Sequence, residues 1–241
     1  MQPTASHPKE RIYCALDTVD VAAAAKLART LKGTVGGIKL GLEFYCANGV
    51  DGYKRVADEG LPIFLDLKFH DIPNTVAGAI RAVAPLAPKL FTIHTQGGPE
   101  MMRRAAEAAQ EGAEKHGHTK PWVIGVSVLT SLDGSDLNAI GVRDAVPDQV
   151  ARLAALAKDC GIDGLVCSPK EITLARAAAG ADFKLIVPGI RPAGAVIGDQ
   201  KRVMTPLEAV TGGADILVIG RPITQADDPA AAATAIAESL A

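Results

Sequence analysis

The sequence predicts an α/β fold: a single-domain (β/α)8 TIM barrel. Three observations carry that expectation. Eight short apolar runs are each followed by an Ala-rich or amphipathic stretch with helical spacing. The runs are continuous rather than alternating, as expected of parallel strands buried on both faces. Eight such units of roughly 30 residues each fill a chain of 241 residues, the usual size of such a barrel.

In chain order the runs are RIYCALD (11–17), GGIKLG (36–41), PIFLDLKF (62–69), LFTIH (90–94), WVIGVSVLT (122–130), GLVCS (164–168), KLIVPGI (184–190) and ILVIGR (216–221). Between them lie segments such as DVAAAAKLARTL, NTVAGAIRAVAPL and DQVARLAALAKDCG, which read as helices. An open doubly wound sheet would normally place a Gly-rich loop after its first strand. Here that strand ends in Leu16-Asp17-Thr18. No Pro/Ser-rich linker divides the chain, so residues 11–241 read as one barrel domain behind a polar extension, residues 1–10. Two connections are long, Ser131–Pro147 and Arg191–Met204. Both follow C-terminal strand ends, where barrel enzymes build binding loops and lids.

Composition excludes several function classes. With 25 basic and 27 acidic residues the formal charge is −2, which offers no cationic footprint for nucleic acid. The apolar fraction, 48%, is too high for a disordered chain. No apolar run reaches the roughly 20 residues that span a bilayer. Residues 1–10 lack the apolar core of a signal peptide, which predicts a cytoplasmic protein. Cys14, Cys46, Cys160 and Cys167 make no CxxC pair and read as reduced thiols. No HExxH spacing or nucleophile elbow occurs.

The sharpest signal is charge inside an apolar strand. In PIFLDLKFHD, Asp66 and Lys68 share one face by strand alternation, while Leu65, Leu67 and Phe69 face the helices. Asp71 follows the strand, and Asn74-Thr75 opens the next helix. Asp17, Lys39, His94 and Thr130 lie at or near other C-terminal strand ends. Two readings remain open: an ion-pair network that caps the barrel, or a catalytic constellation. A second cluster falls where barrels bind phosphate, after the seventh and eighth strands. It comprises Arg191, Gln200 and Gly220-Arg221, with a plain surface arginine as the alternative for Arg221. Asp66 and Asp71 could hold Mg²⁺, but Lys68 between them already supplies a cation.

These residues resemble the orotidine 5′-phosphate decarboxylase family in its stand-alone form. The block DLKFHDIPNT (66–75) matches that family's central motif. So do ALD (15–17), KLGLE (39–43), SVLTS (127–131), VPGIRP (187–192), DQKRVMTP (199–206) and IGRPIT (219–224). The resemblance implies a lyase that converts orotidine 5′-phosphate to uridine 5′-phosphate and CO₂, with no metal and no organic cofactor. It implies a homodimer, with Asp71 and Thr75 reaching into the neighbouring subunit's site. Lys68 would be the proton donor and Asp66, Lys39 and Asp71 the rest of the charged catalytic set. Asp17 and Lys39 would hold the ribose. Ile72, Thr75 and Thr130 complete the substrate-binding set, with Thr130 near the pyrimidine, and Arg191, Gln200, Gly220 and Arg221 would hold the phosphate. The 191–204 loop would close over that phosphate. Alternatives are a Mg²⁺-dependent sugar-phosphate decarboxylase or aldolase of the related barrel group, or a non-catalytic nucleotide binder. Neither nucleic acid nor a membrane is an expected partner.

Overall fold

The computed structural model describes residues 7–192 and 204–240. Eight parallel strands close into a barrel in sequence order: β1 (Ile12–Ala15), β2 (Gly37–Gly41), β3 (Ile63–Phe69), β4 (Leu90–His94), β5 (Trp122–Val126), β6 (Gly164–Val166), β7 (Lys184–Pro188) and β8 (Ile216–Ile219). β8 pairs with β1, so no edge strand remains. The helices between them are α1 (Val21–Leu31), α2 (Leu42–Ala57), α3 (Pro73–Val83), α4 (Gly98–His116), α5 (Gly134–Ala139), α6 (Val146–Asp159), α7 (Ile172–Ala179), α8 (Pro206–Thr211), α9 (Arg221–Thr224) and α10 (Pro229–Glu238).

Strand alternation sorts the apolar residues into two cores. Tyr13, Phe64, Leu90, Ile124, Ile186 and Ile216 fill the barrel interior. Cys14, Leu65, Phe91, Val123, Leu185 and Leu217 are among those that face outward, under the helices. Burying each such aliphatic or aromatic side chain contributes about 1.5–3 kcal/mol. The helix starts use local chemistry. Asp20 caps α1 by accepting from the Ala23 amide at 3.0 Å. Asp133 with Asp136, and Thr205 with Glu208, form reciprocal capping boxes at α5 and α8. α2 breaks at Gly49, whose φ of 57° and ψ of −150° lie outside the helical region.

Several expected boundaries shift. β5 ends at Val126, not Thr130: Ser127 turns its hydroxyl onto the Val166 carbonyl at 2.8 Å. Thr130 therefore sits in the connection beyond the strand. That connection is not one long loop, because α5 lies within it and α6 begins at Val146. β8 ends at Ile219, and Arg221 opens the short α9 with a proline at its start. Under the barrel, Pro8–Arg11 forms a 3₁₀ turn. Its Lys9 ammonium donates to the Gly33 carbonyl at 3.1 Å, and the Arg11 guanidinium donates to that of Ala214 at 3.2 Å. All four cysteines are free thiols, Cys46 exposed and the others buried. Burial pushes the Cys14 thiol up to about 12, with Asp17 adding to the effect and Lys39 opposing it. Among the described residues no helix is long and apolar enough to cross a membrane.

Candidate active site

A cleft of about 280 Å³ opens at the C-terminal ends of the strands. Phe64, Val126, Val166, Ile186 and Val218 give it an apolar wall. Asp17, Lys39, Asp66, Lys68, Thr130, Arg191, Gly220 and Arg221 all line it. Eight of the twelve residues expected from the sequence thus come together from six different strands or strand ends.

The charged residues form a ladder of alternating sign. Asp17 Oδ1 lies 3.5 Å from Lys39 Nζ, and Lys39 Nζ lies 3.6 Å from Asp66 Oδ2. Asp66 Oδ2 in turn accepts from Lys68 Nζ at 2.8 Å. The Asp66 and Lys39 side chains are only 11% and 14% exposed, so these charges act through little water. Burial alone would raise the Asp66 carboxyl. The two lysines and the hydrogen bonds from Lys68 and Thr92 outweigh it and hold that carboxyl below its ordinary value. A Cβ at Gly41 would lie 3.2 Å from Lys39 Nζ, so the glycine leaves that ammonium its room.

Lys68 does not reach the cleft by simple alternation. Leu65 is opposite Phe91 and Phe69 is opposite Ile93, so Asp66, Leu67 and Lys68 together face the single residue Thr92. This bulge puts Lys68 at φ 51°. A non-glycine residue there costs on the order of 1–3 kcal/mol. Thr92 sits in the gap. Its Oγ1 accepts from the Lys68 amide at 2.9 Å and donates to Asp66 Oδ1 at 2.9 Å. Leu67 and Phe69 pack against the outer core as expected.

Three expected residues lie elsewhere. Asp71, Ile72 and Thr75 are exposed on the start of α3 and do not line this chain's own cleft. Asp71 Oδ1 accepts from the Ile72 amide at 2.7 Å, and Ile72 is 68% exposed. Gln200 and most of the 191–204 connection fall outside the described residues. A Cβ at Gly220 would stand 3.5 Å from Ala15 Cβ and 3.7 Å from Asp17 Oδ2, at ordinary contact distance. Packing therefore does not force a glycine there; its bareness keeps open the space beside Asp17. His94, at the end of β4, has its ring 5.3 Å from that of His70. Burial, then the neighbouring His70 and Lys68, lower its pKa. Among the described residues no three His, Cys, Asp or Glu side chains gather as a metal site.

Thr92 and the apolar wall went unnoticed in the sequence. The signal for Thr92 existed: in LFTIH it is a polar residue in register with the interior-facing Leu90.

Residues 10–236 match the family model described as Orotidine 5'-phosphate decarboxylase / HUMPS family. The chain belongs to that family. It is 56% identical over 239 residues to an orotidine 5'-phosphate decarboxylase of Rhodospirillum rubrum, covering 99% of this chain and 97% of the relative. A crystal structure of the Lactobacillus acidophilus decarboxylase superposes with a TM-score of 0.84 at 36% identity, covering 95% of this chain and 98% of that one. The Pyrococcus horikoshii enzyme follows at 0.75 and 27%, with 95% and 98% covered. The family's barrel architecture is the one described above.

Proposed function

We propose that the protein converts orotidine 5′-phosphate to uridine 5′-phosphate and CO₂, in pyrimidine nucleotide synthesis. The observation that carries this reading is the Asp17–Lys39–Asp66–Lys68 ladder facing a cleft with an apolar wall. Binding a nucleotide needs no buried acid between two lysines. Decarboxylation gives that arrangement a task.

The bond from C6 of the pyrimidine to its carboxylate breaks, and its electron pair stays on C6 in the plane of the ring. No adjacent carbonyl can absorb that pair. A fixed positive charge has to stabilise it and a proton has to quench it. The Lys68 ammonium does both: it faces the developing carbanion and then gives C6 its proton. Solvent reprotonates the amine after CO₂ and product leave. Asp66 keeps the ammonium in place, and its charge, together with that of Lys39, is present before the substrate arrives. Asp17 and Lys39 hold the ribose hydroxyls, Thr130 lies by the pyrimidine, and Arg191, Gln200, Gly220 and Arg221 take the phosphate. A planar guanidinium suits that anion. Asp71 and Thr75 serve a neighbouring subunit's cleft in a homodimer, which fits their exposure in the single chain, and Ile72 completes the substrate-binding set. Residues 11–241 form the catalytic domain, residues 1–10 take no part in the chemistry, and the enzyme works in the cytoplasm.

The test is an absorbance assay of EDTA-treated protein with orotidine 5′-phosphate. Turnover that survives EDTA and yields uridine 5′-phosphate is expected. Activity lost with EDTA and restored by Mg²⁺ would move the protein to the metal-dependent side of the barrel group.

A further inference from the structure

We infer that Thr92 is a positioning residue for the reaction, holding Asp66 and the strained backbone of Lys68 in one geometry through a single hydroxyl. The inference rests on the decarboxylase reading for its kinetic consequence, but its structural content stands apart from it.

Thr92 is fully buried on β4 and does not line the cleft. It touches no substrate, so its effect has to pass through its two partners. The first is the Lys68 amide. Bulging β3 lifts that N–H out of the β-ladder, and a buried amide without an acceptor is costly. Thr92 Oγ1 supplies the acceptor at 2.9 Å. The second is Asp66 Oδ1, to which the same hydroxyl donates at 2.9 Å. Asp66 Oδ2 faces Lys68 Nζ at 2.8 Å. The hydroxyl proton is therefore committed to one carboxylate oxygen, which leaves the other for the ammonium. One oxygen atom closes a loop: Thr92 to the Lys68 backbone, Lys68 side chain to Asp66, Asp66 back to Thr92. The loop ties the φ of 51° at Lys68 to the place of its side-chain nitrogen. Without the hydroxyl, the bulge loses its acceptor and Asp66 can rotate.

The experiment compares Thr92→Val with Thr92→Ser in the full chain. Valine matches threonine in shape and lacks the hydroxyl; serine keeps it. For Thr92→Val, kcat should fall about 100-fold while KM stays within about threefold. The acid limb of kcat/KM should move to higher pH, because Asp66 loses an acceptor bond that favours its charged form. Among the described residues the charged and titratable groups around Asp66 are Lys39 from β2, Lys68 from its own strand and His94 from the end of β4, with Asp17, just past β1, beyond Lys39; all stay unchanged. Thr92→Ser should recover most of kcat and the original limb. Hydrogen exchange gives a readout independent of turnover. The Lys68 amide should lose protection in Thr92→Val while the amides of β2 and β5 keep theirs. Wild-type kcat in Thr92→Val, equal losses in the two variants, or an unchanged Lys68 amide would each overturn the inference. Should the wild type fail to decarboxylate, the exchange result still decides whether Thr92 holds the bulge, and the functional reading fails separately.

Discussion

At the N-terminal end of the barrel, Asp163 and Asp215 each stand just before a strand. Asp163 accepts from Lys120 Nζ at 2.7 and 2.9 Å and from the Val123 amide at 2.8 Å. Asp215 accepts from Arg176 at 2.6 Å and from the Leu185 amide at 2.9 Å. At the same end, where β5 begins, the Trp122 ring lies 4.8 Å from Lys89 Nζ and 5.9 Å from Lys184 Nζ. At the C-terminal end the same residue types meet differently. Lys39 lies 3.5 and 3.6 Å from its two acids, longer than a good hydrogen bond. Among the described residues Asp66 takes its hydrogen bonds from the Lys68 and Thr92 side chains and not from a backbone amide. The lower charges are used up in fastening strands to one another. The upper charges are held in place yet still face the cleft.

Substitutions should separate the two ends. The largest effect is expected for Lys68→Ala. Turnover should drop by roughly a thousandfold or more, with the fold and the binding of uridine 5′-phosphate kept. Substantial residual decarboxylation would remove Lys68 as proton donor. Arg221→Ala comes next. It should lower kcat/KM about 100-fold for the phosphorylated substrate and leave the unphosphorylated nucleoside almost untouched. Equal losses on both would mean that the phosphate does not contribute through this side chain. At the other end, Asp215→Ala should leave kinetics alone and cost on the order of 2 kcal/mol of stability, or roughly 5 °C in Tm. A kinetic change in that variant would erase the contrast between the ends.

The smallest effect concerns His94. Its pKa is lowered in the folded chain, so below the ordinary value of 6.5 the unfolded chain binds more protons than the folded one. Stability should therefore be whole above about pH 6.5 and decline as the pH falls from there toward the lower folded value. Denaturant unfolding of wild type against His94→Asn at several pH values measures this. A slope that persists in the variant would place its origin elsewhere.

How far each feature could be read depended on how it stood out locally. Asp66 and Lys68 were legible because charge inside an apolar run has few explanations. Arg191, Gly220 and Arg221 were legible because strand order places them at one rim. β5 was read four residues too long because WVIGVSVLT is apolar throughout, and its end is set by Ser127 turning to β6. The helix at Arg221 carried a usable signal, Pro222, that went unused. Asp163 and Asp215 also left a trace, since G-x-D-x-L-V occurs at both 161–166 and 213–218.

By itself the sequence determined the barrel, its strand order and the cast of charged residues at one rim, because hydrophobic period and residue type are local properties. Only the tertiary structure decided how Lys68 meets the cleft. Its bulge depends on pairing with β4, and its amide and its acid partner share one hydroxyl more than twenty residues away. No pattern along a single strand records a contact whose other half lies on its neighbour.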